Sequence, residues 1–327
     1  MRCLVVGIGG LAMGQYLPFL TRQEDLELAY LSRRSASSRA AQDAFGGHGL
    51  DSWSEVEGFA PDIAFNLATD SAHAHVLESL IEARVPRVFT EKPLISQAGQ
   101  ENVDEDDFFR ARDIVGLANE AGFEIAMGFN YRFFESVQDS LDAVAGARLG
   151  PLRTVVANSH FATWSHTLDL IGMACGPIAT LTAMAGPGTA RDGRTPTRSV
   201  SFRAVSGAVG SALGSALRDW EDDLLDISFS FDGGHLRWRD LDAESSMFEA
   251  ASGRRTVTVL PGPREARYSA SFTASLTAYL AAVRTNAPPP VGVDAGLREL
   301  QMEASISRSI REHRAVRVQE EFPLDAS

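Results

Sequence analysis

Apolar and polar positions follow two different rhythms along the chain. Through residue 126, short apolar runs alternate with longer segments of helical spacing. The runs predict strands at 2–6, 26–31, 62–67, 88–90 and 124–129, with a short one near 49–52. Between them, helices are predicted over 11–20, 35–45, from about 68–73 to 84, and from about 108 to 121. Pro18 should kink the first of these or end its first segment, because it has no N–H to give and its ring crowds the preceding turn. Repeated strand–helix order predicts a doubly wound parallel sheet.

Beyond residue 126 strands dominate. A helix ending within 141–150 and a strand at 152–159 precede a helix over 166–175, stopped by Gly176-Pro177. Strands then follow at 180–184, 200–205, 208–216, 224–231, 235–240 and 256–260, and Asp232-Gly233-Gly234 is a strong hairpin signal. Residues 186–198 read as a loop, and helices over 272–284 and 295–312 flank Asn286-Ala287-Pro288-Pro289-Pro290. The whole is α/β: a Rossmann-type parallel sheet over 1–126, then an α+β domain over 127–327.

Composition narrows the function. The chain has 327 residues and a formal net charge of −13, which argues against a nucleic-acid partner while leaving room for a local basic site. No apolar run is long enough to span a bilayer, and the first residues read as a strand rather than a signal peptide. Cys3 and Cys175 sit among apolar neighbours and are read as buried reduced thiols; with no secretory signal, the expected location is the cytoplasm. The sequence shows no Cys/His metal cluster, no phosphate loop ending in Lys-Ser/Thr and no nucleophile elbow, so no metal is expected. The acidic stretch 101–107 reads as a solvated loop and helix start.

Three stretches carry chemistry. Gly7-Ile8-Gly9-Gly10-Leu11-Ala12 follows the first strand directly and opens a helix. Glycines there allow a tight turn and close approach of a pyrophosphate, whose charge meets free N–H groups. At the end of the second strand stands Ser32-Arg33-Arg34-Ser35, where an NAD-preferring site usually carries an acid. Two guanidiniums and two hydroxyls suit a ribose 2′-phosphate instead, so NADP(H) is expected over NAD(H). The third is Val88-Phe89-Thr90-Glu91-Lys92-Pro93: Pro93 ends the strand and leaves Glu91 and Lys92 at the strand end, where open α/β sheets bind ligands.

Taken with Ala68-Thr69-Asp70-Ser71-Ala72-His73, Met127-Gly128-Phe129-Asn130-Tyr131-Arg132-Phe133 and Ser165-His166-Thr167-Leu168-Asp169, these motifs resemble the Gfo/Idh/MocA oxidoreductases, the family of glucose–fructose oxidoreductase and inositol dehydrogenase. The resemblance runs through nearly the whole chain. It implies a nicotinamide-binding Rossmann domain and a second domain with a large, mostly antiparallel sheet, often used for oligomer contacts; a homodimer or homotetramer is expected. It implies Ala68, Thr69, His73 and Glu91 beside the cofactor, Lys92 beside the nicotinamide and the reacting carbon, and a cis Lys92–Pro93 bond. A His at the position of His166 usually faces that carbon from the second domain.

One departure stands out. The family commonly carries Asp four residues before this His, where the chain has Ala162. Either Lys92 and His166 manage the proton alone, or His160, Tyr131 or Ser165 supplies the missing group. Asp169, three residues after His166 on one helix face, either orients the imidazole or is a polar neighbour; Trp164 is either an apolar wall for the substrate or a core residue. The leading expectation is an NADP(H)-dependent oxidoreductase acting on a carbonyl or hydroxyl of a sugar, cyclitol or related small molecule. The alternatives are an imine reductase, a cofactor-recycling glycosidase and a non-catalytic cofactor-binding homologue.

Overall fold

The computed structural model describes residues 1–147, 149–188, 196–215 and 223–325. The chain divides into two compact units: Met1–Gly128 with Ser275–Leu300 and Asp325–Ser327, and Phe129–Ala274 with Gln301–Leu324.

In the first unit, β1 (Arg2–Val6), β2 (Glu27–Leu31), β3 (His48–Leu50), β4 (Ile63–Asn66), β5 (Arg87–Thr90) and β6 (Glu124–Met127) form one sheet in the order β3-β2-β1-β4-β5-β6. Every pairing is parallel. Strand order reverses between β1 and β4, the crevice where doubly wound sheets take their ligands. Register aligns the strand ends: Val6 pairs with Leu31 and with Asn66, Asn66 with Thr90, and Thr90 with Met127. Gly7, Ser32, Leu67, Glu91 and Gly128 therefore emerge along one edge.

Helices α2 (Ser35–Phe45), α3 (Trp53–Phe59), α4 (His73–Glu82) and α5 (Glu105–Glu120) connect the strands. The helix foreseen over 11–20 is irregular. Ala12–Tyr16 form a π-helical turn in which the Leu17 N–H reaches back to the Ala12 carbonyl, and a short α1 (Leu17–Leu20) carries Pro18 in its first turn. Proline is tolerated in a first turn because its missing N–H has no helical partner there. The π turn carries Tyr16 into the core, edge-on to Phe65 and Phe89 at 6.1 and 6.0 Å. Tyr279 closes the same aromatic cluster, 5.7 Å from Phe65 and 5.1 Å from Phe89.

The second unit holds α6 (Glu135–Ala147), β7 (Leu152–His160), α7 (Trp164–Cys175), β8 (Ile178–Gly188), β9 (Pro196–Ala204), β10 (Val209–Ser215), β11 (Leu225–Phe231), β12 (Gly234–Arg239), β13 (Glu244–Glu249) and β14 (Arg254–Val259). Helices α8 (Arg264–Thr285) and α9 (Val293–Glu312), then β15 (Val316–Arg317) and α10 (Val318–Glu321), complete the chain. Its nine-stranded sheet has the order β14-β13-β12-β11-β7-β10-β9-β8-β15 and is antiparallel except for the β7–β10 pair. Alternation along β7 buries Val155 and Ala157 and leaves Val156 at 55% exposure. The hairpin signal holds: Phe231 pairs with Gly234 across the two-residue turn Asp232-Gly233.

β13 and β15 have no counterpart among the strands read from the sequence. Of the loop foreseen at 186–198, residues 189–195 lie outside the described residues; on either side β8 runs to Gly188 and β9 begins at Pro196. Both cysteines are free and buried, as expected, and burial pushes the Cys175 thiol up to about 12. Among the described residues no helix is long and apolar enough to cross a membrane, and no cluster of ligating side chains suits a metal ion.

Candidate functional site: a nucleotide-binding edge and a single lysine

At the end of β1 the glycines divide by role. Gly7 takes φ +91°, and a Cβ there would fall 2.4 Å from the backbone of Ala68, so the turn admits only glycine. At Gly9 and Gly10 an added Cβ would meet no atom within 4 Å. Protein packing does not demand glycine at either position. Ile8 is half-buried, while Gly9, Gly10 and Leu11 are exposed at the start of the helix. This is a cradle that a dinucleotide pyrophosphate fits.

Beside it, Ser32 is half-buried after β2, and Arg33 and Arg34 are exposed. Arg34 is the residue preceding α2, with extended backbone. Among the described residues neither guanidinium makes a hydrogen bond or an ion pair. Both are open to solvent.

The next strand end is tightly cross-braced. Asn66, fully buried, donates to Thr90 Oγ1 at 3.1 Å and to the His73 carbonyl at 3.4 Å. His73 lies with Nδ1 2.7 Å from the Pro93 carbonyl and Nε2 3.1 Å from the Ala68 carbonyl. A neutral ring can donate to only one of them, and the shorter contact favours Pro93. Burial pulls the His73 pKa down, against the pull of the two carbonyls. Placed among the cofactor-facing residues by the resemblance, His73 has both ring nitrogens turned to protein backbone; it fixes the loop bearing Ala68 and exposed Thr69 from beneath. Asp70 and Ser71 stand in the short turn that opens into α4, and neither side chain caps that helix. Asp70 Oδ2 instead accepts from the Gln100 N–H at 2.8 Å.

Glu91 is buried, and its carboxyl accepts from the Tyr16 hydroxyl and, at 3.1 Å, from the Lys92 backbone N–H. Burial pushes its pKa up, while the bond from Tyr16 and the charge of Lys92 pull it down. Gly128 backs it closely: a Cβ there would stand 3.2 Å from Glu91. The Lys92–Pro93 peptide is cis, as the resemblance implies. Lys92 itself is half-buried, with Nζ 2.6 Å from Gln100 Oε1. The acidic stretch 101–107 is less solvated than its composition suggests. Asp104 and Asp107 form a capping box on α5, and Asp107 is 2% exposed with its carboxyl taken by backbone N–H groups of Gln97 and Asp104.

In the second unit, His166 is buried on α7 and stacks flat on Tyr131, with centroids 3.7 Å apart and planes at 10°. Phe129 meets its edge at 6.0 Å. Burial holds the Tyr131 hydroxyl well above its usual pKa, so it serves as a neutral wall to the imidazole. Asp169 has another role than the one its spacing suggests. Arg132 grips both its oxygens at 2.8 and 2.6 Å, and the carboxyl is 1% exposed. Burial pushes its pKa up; the bidentate guanidinium opposes that and favours the charged pair. His160 caps the turn Phe161–Thr163, its Nδ1 accepting from the Ala162 N–H at 3.0 Å. Trp164 is a core residue: 1% exposed, stacked on Phe161 at 6.1 Å, with its ring where a Cβ on Gly214 would fall.

Sequence reading passed over Tyr16, Asn66 and Gln100, and it passed over one signal that was available. Of the 30 basic residues, 29 are arginine, and Lys92 is the sole lysine.

Residues 1–106 match the oxidoreductase family with an NAD-binding Rossmann fold. The match is to NAD-binding oxidoreductases of the Gfo/Idh/MocA type and covers the Rossmann domain. In three dimensions it is similar to an oxidoreductase from Agrobacterium radiobacter in complex with NAD+, L-tartaric acid and magnesium, with TM-score 0.83 and 14% identity over 98% of this chain and 99% of that one. It is similar also to the WlbA dehydrogenase of Bordetella pertussis in complex with NADH and UDP-GlcNAcA, with TM-score 0.77 and 17% identity over 97% and 98%. A third is the UDP-N-acetylglucosamine 3-dehydrogenase GnnA of Acidithiobacillus ferrooxidans, with TM-score 0.77 and 16% identity over 95% and 98%. At these identities the likeness is one of fold. Comparison with curated protein sequences finds no match.

Proposed function

We propose that the protein is an NADP(H)-dependent oxidoreductase that interconverts a carbonyl and a hydroxyl on a sugar, cyclitol or related polar small molecule. The observation that carries this reading is the placement of the sole lysine at the switch-point edge, one residue past a buried carboxyl and on the same edge as the bare glycine cradle. Where this chain needs a permanent cation it uses arginine; a lysine kept at this one position indicates a need for a compact, rotatable donor that can also give up its proton.

Gly9, Gly10 and Leu11 would hold the pyrophosphate, Ala68 and Thr69 would line the next stretch, and Ser32, Arg33 and Arg34 would take the 2′-phosphate. The bound nicotinamide supplies or accepts the hydride. In reduction, Lys92 stabilises the negative charge growing on the substrate oxygen and delivers a proton there; in oxidation it removes that proton. Glu91, fixed by Tyr16, sets the backbone from which Lys92 projects. In the second unit His166, held flat by Tyr131, is the proton-handling group on offer. UDP-GlcNAcA bound to one similar fold, and the UDP-N-acetylglucosamine in the name of another, support a sugar-type substrate. Exposed Val156 and Met184 on the second sheet support a homodimer or homotetramer, and two reduced thiols support a cytoplasmic setting.

The test is titration of NADPH and of NADH by fluorescence with wild type and Arg33→Ala/Arg34→Ala, then NADPH oxidation against a ketosugar panel with wild type and Lys92→Ala. Tighter NADPH binding that the double change abolishes is expected, with turnover lost in Lys92→Ala. Preference for NADH refutes the cofactor assignment, and near-normal turnover in Lys92→Ala refutes the role of the lysine.

A further inference from the structure

After the cis peptide the chain does not enter α5 directly. It first buries Leu94, Ile95 and Ser96, then makes an exposed turn that ends in a single 3-10 turn at Gln100–Asn102. Two hydrogen bonds and one glycine shape this loop. The Gln97 N–H donates to buried Asp107 at 2.8 Å, Gly99 takes φ +90°, and the Gln100 N–H donates to Asp70 Oδ2 at 2.8 Å. With its backbone held in this way, Gln100 directs Oε1 to Lys92 Nζ at 2.6 Å.

We propose that Gln100 is a positioning residue for the chemistry at Lys92, and that Asp70, on the loop carrying Ala68 and Thr69, is its anchor. The proposal rests on the reading of Lys92 given above. An ammonium has three donors, so one bond to Gln100 fixes the direction of the side chain and leaves two for a substrate oxygen and its surroundings. The acceptor is a neutral amide. A carboxylate at the same point would orient Lys92 equally well but would also cancel the charge meant for the growing oxyanion. The loop thus restricts a long, flexible side chain without neutralising it. Because Asp70 follows Ala68 and Thr69 directly, the anchor also ties the lysine to the loop proposed to meet the cofactor.

The sole lysine makes the contact itself testable without knowing the substrate, and turnover on the substrate found by the ketosugar panel tests its role. Protein grown on lysine labelled with 15N at Nζ gives one side-chain signal, which comes from Lys92. In wild type the Nζ protons are expected to exchange slowly with water and the signal to be sharp. Gln100→Ala should speed that exchange and lower kcat by about 10- to 100-fold with cofactor affinity unchanged. Gln100→Glu should restore the slow exchange but not kcat, a split that a merely structural role would not produce. Asp70→Ala should reproduce the Gln100→Ala spectrum in milder form, while Asp70→Asn, which keeps an acceptor, should resemble wild type. Exchange unchanged in Gln100→Ala, or kcat unchanged in a variant whose exchange has changed, overturns the proposal. Wild-type exchange as fast as in Gln100→Ala overturns it too. A Lys92→Ala protein with near-normal turnover overturns instead the reading of Lys92, and the spectra still judge the contact on its own.

Discussion

The division of labour among the glycines gives a prediction with two opposite halves. In Gly7→Ala the new Cβ would stand 2.4 Å from Ala68 Cα and N and 2.5 Å from the Leu67 carbonyl carbon, at a φ of +91°. The backbone conformation alone costs an L-residue about 1–2 kcal/mol. Moving the Leu67–Ala68 backbone aside adds about 1–3 kcal/mol, the usual scale for overpacking. The sum is about 2–5 kcal/mol, which for a unit of this size lowers Tm by roughly 5–15 °C. Gly9→Ala meets nothing within 4 Å and needs no positive φ, so stability should stay within about 0.5 kcal/mol of wild type. Its methyl group should instead weaken NADPH binding by about tenfold or more, or about 1.4 kcal/mol, because it occupies the approach of the pyrophosphate. Thermal melts monitored by circular dichroism without nucleotide, alongside fluorescence titration with NADPH, separate the two. A Gly9→Ala protein that melts as low as Gly7→Ala would make Gly9 a structural glycine. One that binds NADPH as wild type would remove the pyrophosphate from this edge.

Two further predictions concern the second unit. Asp169→Leu strands Arg132 beside a buried site and should cost about 3–5 kcal/mol in urea unfolding, whereas Arg132→Leu/Asp169→Leu should recover most of that loss; a single change worth under about 1 kcal/mol contradicts this account. Glu321, bonded by Arg314, by the Arg317 N–H and by Arg308, has its pKa lowered to about 2. Its folded pKa lies below the unfolded value, so its contribution is complete above about pH 4.5 and fades as pH falls toward about 2; at the surface it amounts to about 1 kcal/mol or less. Glu321→Gln should therefore lose less stability than wild type between pH 6 and pH 3, and equal losses would show that the cluster adds nothing.

What could be read from the sequence follows the range over which the determining forces act. Helix α2 runs Ser35–Phe45 in both the pattern and the structure, because its spacing and its glycine stop are local. The hairpin at Asp232-Gly233 is equally local. β13 escaped notice because Glu-Ser-Ser-Met-Phe-Glu has no alternation; it exists by pairing with β12 and β14 on either side. The π turn reflects a tertiary demand, the burial of Tyr16 under Phe65 and Phe89, which the helical spacing of 11–20 does not express. Asp169 shows the same limit at the site. Spacing of three pointed to His166, but its partner Arg132 lies 37 residues away on another element.

The surroundings of Lys92 become intelligible when its two polar neighbours are considered together. Gln100 orients the ammonium with a neutral oxygen, and Glu91, the nearest carboxyl in sequence, is pushed by burial toward its uncharged form and committed to the Tyr16 hydroxyl and a backbone N–H. Neither neighbour is placed to neutralise the lysine. Elsewhere the chain pairs its cations freely, as in Arg132 with Asp169, Arg198 with Glu303 and Arg284 with Asp25. An arginine at position 92 would bring a planar, permanently charged fork suited to gripping a carboxylate, whereas a lysine brings a point charge that can turn toward a substrate oxygen and surrender a proton. The bidentate pair of Arg132 with buried Asp169 serves the fold, whereas on the proposed reading the one lysine keeps its charge for the substrate oxygen.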